Sequence, residues 1–233
     1  MRTGAMTKKL LVLKDIHKGY GRPGSHGFRP VLSGLEWELE AGTRTAIVGP
    51  SGCGKTTLLN LIGALDRPDR GEILFDGRDI SGYSDAELAL FRNRELGFVF
   101  QQHHLLPQLT LLENVLLPLL AFQKGVTTAQ REWAGHLLRK TGISDQRHQL
   151  PGELSGGECQ RTAVVRALIH KPRLLLADEP TGALDEENAS ILAGLLTGLS
   201  RDEGITLVTV THAPEVAAGM ERIFHLRNGQ LIL

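Results

Sequence analysis

Short apolar runs of strand length alternate along this chain with longer stretches of helical spacing. Thr45 to Val48, Gly97 to Phe100, Leu174 to Ala177 and Thr206 to Val210 are nearly continuous in apolar and β-branched residues. Such runs mark strands buried on both faces, and their alternation with helical segments predicts a parallel sheet with helices packed on it. Leu10 to Ile16 and Leu35 to Leu39 instead alternate apolar with polar positions, the pattern of half-buried antiparallel strands. Near the end, Asn228-Gly229 stands between two short apolar runs and predicts a hairpin over Arg222 to Leu233.

From Gln102 to about Leu150 the strand signals vanish. Thr128 to Lys140 carries Trp133, Leu137 and Leu138 at helical spacing, so this segment reads as an inserted helical subdomain. The Gly/Pro-rich stretch Gly19 to Pro30 reads as a long surface turn, and neither an internal repeat nor a heptad series interrupts the pattern. The expectation is a single α/β domain over residues 1–233, with residues 10–101 and 160–233 as the core and 102–159 as the helical insertion.

Composition narrows the function. The 26 basic residues equal the 26 acidic ones, giving no net charge. A protein that grips nucleic acid through about 6–10 phosphates shows a basic face, so no nucleic acid partner is expected. The most apolar stretch, Leu105 to Phe122, is broken by Pro107, Gln108, Thr110, Glu113, Asn114 and Pro118. It falls short of the roughly 20 apolar residues that a membrane span needs. The opening MRTGAMTKKL is followed by no apolar segment or cleavage site, and Cys53 and Cys159 are too few for a disulfide framework. The expected location is the cytoplasm.

Chemistry enters at Gly49 to Thr57, GPSGCGKTT, between a strand ending near Val48 and a helix beginning near Lys55. In that context Gly49, Pro50, Ser51, Gly52, Cys53 and Gly54 form a loop whose backbone N–H groups cradle phosphates, with the helix N-terminus adding favourable partial charge. Lys55 is placed to reach the β- and γ-phosphates of a nucleotide, and the hydroxyls of Thr56 and Thr57 follow, Thr56 as an Mg²⁺ ligand. Asp178 emerges at the carboxyl end of the buried run Leu174 to Ala177, where open α/β sheets bind their ligands, and is a second Mg²⁺ ligand. Glu179 follows it directly.

The most specific signal is LSGGECQR, Leu154 to Arg161, between these two motifs. Ser155, Gly156 and Gly157 precede a helix-like run and form another helix-N-terminal anion site. The three motifs in this order resemble the ATP-binding cassette family, the ATPase subunits of ABC transporters, from about Leu10 to Leu233. The resemblance implies a P-loop NTPase cassette: a RecA-like core sheet, an N-terminal antiparallel β subdomain and an inserted helical subdomain. It implies that Glu179 is the general base, that His212 in VTVTH contacts the γ-phosphate, and that Gln101 senses Mg²⁺ and the attacking water, Gln102 being its competitor. It implies that Tyr20 stacks on adenine and that Asp185 lies at a subunit interface while also able to cap its own helix. It further implies an ATP-dependent homodimer, or pairing with a second cassette, because the signature of one subunit closes over ATP held by its partner. Cys159 stands where many relatives carry Gln or Arg.

Within the family, Gly97 to Leu119 and ADEPTGALD at Ala177 to Asp185 look like the lipoprotein-releasing (LolD-like) and macrolide-export (MacB-like) group. The adjacent His103 and His104 read as a polar loop rather than a metal site. Leu105, Leu106, Leu109 and Leu111 are either part of a groove for a permease helix or subdomain core. The implied role is ATP hydrolysis coupled to a separate transmembrane permease, at the cytoplasmic face of the membrane. The alternatives are a cassette that transmits force to a cell-division or signalling complex, and a soluble cassette of DNA repair or translation.

Overall fold

The computed structural model describes residues 8–22 and 27–233. Residues 1–7, read above for a targeting segment, and 23–26 of the glycine-rich turn lie outside it. Strand runs into both ends of that turn: β1 (Lys9–Tyr20) continues to Tyr20 and β2 (Arg29–Glu40) begins at Arg29.

Two sheets form the frame. β3 (Arg44–Val48), β6 (Leu96–Phe100), β7 (Leu174–Asp178), β8 (Thr206–Val210), β9 (Arg222–Arg227) and β10 (Gln230–Ile232) make a six-stranded sheet in the order β10-β9-β3-β8-β7-β6. Its pairs are parallel except β9–β10, the expected hairpin. Asn228 (φ 50°) and Gly229 (φ 74°) both take the left-handed conformation that a tight two-residue hairpin turn needs. The second sheet is antiparallel, β2-β1-β4-β5, and adds β4 (Arg70–Phe75) and β5 (Arg78–Asp79) to the two expected strands. In β4 only Ile73 and Phe75 are buried, too few for alternation to show in the sequence.

The strands β3, β6, β7 and β8 are largely buried on both faces, as their continuous apolar runs require. Leu174, Leu176 and Val208 pack with α1 (Lys55–Ile62) and with Leu11, Leu13 and Ile16 of β1. Leu175, Ala177 and Leu207 turn to the other face, against α5 (Gly156–Leu168) and α6 (Glu186–Asp202). Leu137 and Leu138 of α4 (Thr128–Lys140) join that second core, so the helical insertion shares its apolar packing with the sheet. Helix starts are locally encoded. α2 (Asp85–Glu95), α3 (Leu111–Leu116), α4 and α5 each open with a capping box, built on Ser84/Glu87, Thr110/Glu113, Thr127/Gln130 and Ser155/Glu158. α7 (Pro214–Ala218) follows β8. Among the described residues no helix is long and apolar enough to cross a membrane.

The seam between β6 and α5 is tight. A Cβ on Gly97 would sit 2.4 Å from the Ala167 carbonyl oxygen and 3.0 Å from Leu175 Cδ1. Gly97→Ala is therefore expected to destabilise the fold by about 1–3 kcal/mol, the usual cost of overpacking. Urea unfolding measures it, and an unchanged midpoint would contradict this packing.

Candidate active site

The loop of residues 49–54 joins β3 to α1 at the carboxyl edge of the parallel sheet. Gly54, the residue before α1, has φ 106°, and a Cβ there would lie 2.5 Å from Val31 Cγ1. Only glycine fits both the conformation and the space. The first-turn N–H groups of α1 have no intrahelical acceptors and face the mouth of the loop with the positive end of the helix dipole. Lys55 is 9 % exposed, and its ammonium donates to the carbonyls of Gly49 (2.9 Å) and Pro50 (3.2 Å). A buried cation is thus pinned across the loop by two backbone oxygens.

The carboxylates come from the end of β7, which lies beyond β8 in the sheet. Asp178 ends β7, and the Thr56 hydroxyl donates to its Oδ1 at 3.5 Å. Burial pushes the Asp178 carboxyl above its ordinary range and the neighbouring Glu179 charge adds to this, while the Thr56 bond and Lys55 oppose it. Glu179 adopts φ 46°, a left-handed conformation that costs a non-glycine residue about 1–2 kcal/mol. Its N–H donates to the Val210 carbonyl and its own carbonyl accepts from Gly182, so the strained turn is held at both ends. Its Oε2 lies 2.9 Å from His212 Nδ1 and accepts from the His212 N–H at 3.1 Å. Strain of this kind persists where the surroundings over-determine it, commonly at functional sites.

Tyr20 stands at the rim, 46 % exposed, its hydroxyl 3.4 Å from Thr57 Oγ1 and 3.4 Å from Asp66 Oδ2. An open cleft is lined by Tyr20, Ser51, Gly52, Gly54, Lys55, Thr56, Thr57 and Glu179. Arg29 and Val31 of β2 also line it. Sequence reasoning missed this pair, since β2 carries no motif and only the packing of the two sheets brings it to the loop. Gln101, the residue after β6, leans on the Glu179 turn: a Cβ on Gly182 would meet its amide nitrogen at 2.9 Å.

A second group is gathered elsewhere. Ser155 caps α5 and Asp185 caps α6, the latter accepting from the Asn188 N–H at 2.9 Å and its amide at 2.8 Å. Gly157 abuts this pair, and a Cβ there would lie 2.3 Å from Asn188 Oδ1. Ser155, Gly156, Gly157 and Asp185 are not among the residues lining the cleft. One chain therefore presents two separate helix N-termini, and only one of them opens on Lys55.

Comparison with known proteins shows the family of this chain. The family model described as ABC transporter matches residues 32–182. The chain is 44 % identical to the uncharacterized ABC transporter ATP-binding protein YknY of Bacillus subtilis, over 96 % of this chain and 95 % of that one. It is 48 % identical to the lipoprotein-releasing system ATP-binding protein LolD of Porphyromonas gingivalis, over 89 % of this chain and 94 % of that one. This chain belongs to the ABC transporter family. Its fold is that of the family's cassettes: it resembles the dimeric structure of MJ0796, a bacterial ABC transporter cassette, with a TM-score of 0.85 and 38 % identity. That match covers 96 % of this chain and 97 % of the other. A dimeric post-hydrolysis state of MJ0796, bound to ADP and Pi, matches equally well.

Two expectations about this cassette sharpen. Leu105 and Leu111 are buried and Leu106 is exposed, but none of these, nor Leu109, lines the apolar groove beside β6. That groove is formed by Leu65, Phe98, Phe100, Pro118, Phe122 and His170, with other residues of α2 and α5. Cys159 is buried and desolvation pushes its thiol above the ordinary range, so it serves as a small core residue.

The raised Asp178 pKa has a stability consequence. The native state holds this proton more tightly than the unfolded chain, so stability declines as pH rises from below 3.8 through the raised folded value. Asp178→Asn should therefore raise the neutral-pH unfolding temperature of the nucleotide-free cassette and flatten that pH dependence. Thermal unfolding from acid to neutral pH tests this, and a lower neutral-pH melting temperature would refute it.

Proposed function

We propose that this cassette is the ATP-hydrolysing subunit of a transporter of the lipoprotein-releasing type, coupled to a separate membrane permease. As an ABC transporter family member it binds ATP and hydrolyses it to ADP and phosphate. The observation that carries the reading is the convergence of Lys55, Thr56, Asp178 and the Glu179–His212 pair on one sheet edge, with the signature held apart from it. The subgroup rests on relatives named lipoprotein-releasing system ATP-binding protein, 44–48 % identical over most of their length.

In this reading two cassettes close on two ATP molecules. Gly49, Pro50, Ser51, Gly52, Cys53 and Gly54 wrap the phosphates, Lys55 binds their outer oxygens, Thr57 supports the first turn and Tyr20 stacks on the adenine. Ser155, Gly156 and Gly157 of the other subunit complete the γ-phosphate shell, and Asp185 faces across the interface. Thr56 and Asp178 offer hard oxygen donors 3.5 Å apart at the loop mouth, a set that suits Mg²⁺. When bound there, the ion neutralises charge on the phosphate oxygens. Glu179 orients a water and takes its proton as the oxygen attacks the γ-phosphorus and the bridging oxygen leaves. His212 fixes the Glu179 carboxylate and contacts the γ-phosphate, and Gln101 lies at the water.

The groove beside β6 is the permease seat in this reading. Its walls include the stacked Phe98 and Phe100 rings, and Leu65 (48 % exposed) and Phe122 (56 % exposed) leave an apolar surface open to a helix. Residues 102–159 move with that helix against 10–101 and 160–233, and the cassette works on the cytoplasmic face of the membrane.

Glu179→Gln should retain ATP binding, accumulate as an ATP-bound dimer and lower turnover by about 10² to 10⁴. Steady-state ATPase assays and size-exclusion chromatography with ATP measure both effects. Turnover equal to that of the parent would refute the assignment of the base.

A further inference from the structure

Gln160 lies on α5, beyond the signature residues, and is 2 % exposed. Its amide nitrogen donates to the Phe100 carbonyl at 2.6 Å and to the Pro180 carbonyl at 2.9 Å. An amide NH₂ has two hydrogens, so both are committed. The acceptors are informative: Phe100 immediately precedes Gln101, and Pro180 immediately follows Glu179. One side chain of the signature helix thus ties together the two backbone points that aim the water-facing glutamine and the base. Further along α5, Arg166 donates to the carbonyls of His103 (2.6 Å) and His104 (2.7 Å). Burial draws its guanidinium pKa below the usual value, which places these charge-assisted bonds in low dielectric, where they are strong. The segment carrying Gln101 is therefore clamped at both ends by α5.

We propose that Gln160 is a positioning residue for hydrolysis. It fixes Gln101 and Glu179 relative to the N-terminus of α5, so that displacement of Ser155 to Gly157 against a partner cassette reaches both through one buried amide. The inference rests on the ATPase reading above. A purely structural glutamine would lower stability when replaced and leave the balance between ATP binding and turnover unchanged.

Gln160→Met retains length and approximate volume but removes both donors. Since a displacement of about 1 Å can cost about 10²-fold in rate, kcat should fall at least about tenfold while ATP affinity stays within about twofold. Amide hydrogen exchange of residues 101–104 and 181–184 should quicken in the nucleotide-free protein, a readout independent of activity. Gln160→Glu sets a carboxylate against the two carbonyls at neutral pH. On acidification its kcat should recover relative to the parent, because the protonated acid regains one O–H donor. This variant serves as the test if the methionine variant does not fold. Unchanged exchange in both segments overturns the proposal whatever the ATPase does. So does a parent-like kcat in Gln160→Met, or a parallel loss of affinity and kcat. Parent-like turnover in Glu179→Gln, with exchange still quickened in Gln160→Met, overturns the assigned base and leaves the tether standing.

Discussion

Register in the parallel ladder sets Ile47 opposite Val210 and Val210 opposite Asp178. Both faces of these strands are buried and close-packed, so a slip of one residue would set every side chain into packing shaped for its neighbour. That penalty locks β3, β8 and β7 at one height, and the phosphate loop, the Asp178–Glu179 pair and His212 all leave from the same edge. The Glu179 N–H bond to the Val210 carbonyl extends this alignment one residue beyond the strand. Everything chemical in the cassette depends on that shared edge, because no two of these groups are adjacent in the chain.

Helix ends supply the second ingredient, and the two differ in what they leave free. At α1 the loop ends in Gly54, which brings no side chain, so the first-turn N–H groups stay open beside Lys55. At α5 the Ser155 hydroxyl and the Glu158 side chain satisfy one another across a capping box. Hydrogen bonds from the Ser155 backbone and hydroxyl hold the Glu158 carboxyl below its usual range. A charged Glu158 steadies the helix start, and the amide of the exposed Gly156, in the first turn, has no intrahelical acceptor. In the proposed function the two helix ends take complementary tasks, one enclosing phosphate within its own chain and the other facing a neighbour.

Much of the fold was legible because its determinants are local. Four strands matched their apolar runs to within a residue, Thr128–Lys140 formed the expected helix, and Asn228-Gly229 closed the expected hairpin. The strands β4 and β5 were not legible, since pairing, of β4 with β1 and of β5 with β4, rather than their own pattern, makes them strands. Among the candidate site residues, the glycines, Lys55 and Thr56 were legible because a phosphate loop needs those types at that spacing, Asp178 because it ends a buried apolar run, and Glu179 only through the family resemblance. Arg29 and Val31 could not, as they enter the cleft from a strand without a motif. Gln160 was visible in LSGGECQR only as a letter in a pattern.

From its sequence alone this protein is determined as a phosphate-binding α/β cassette with a signature helix, since capping boxes, turn residues and apolar periodicity act over a few residues. Tertiary structure decided which distant groups meet. It set Glu179 against His212 in a strained turn, brought Gly157 against Asn188, and buried Gln160 between Phe100 and Pro180. Those meetings depend on strand order and on the packing of α5 and α6 over the sheet. No spacing along the chain encodes them, because each joins residues whose separation has no local physical consequence until the sheet forms.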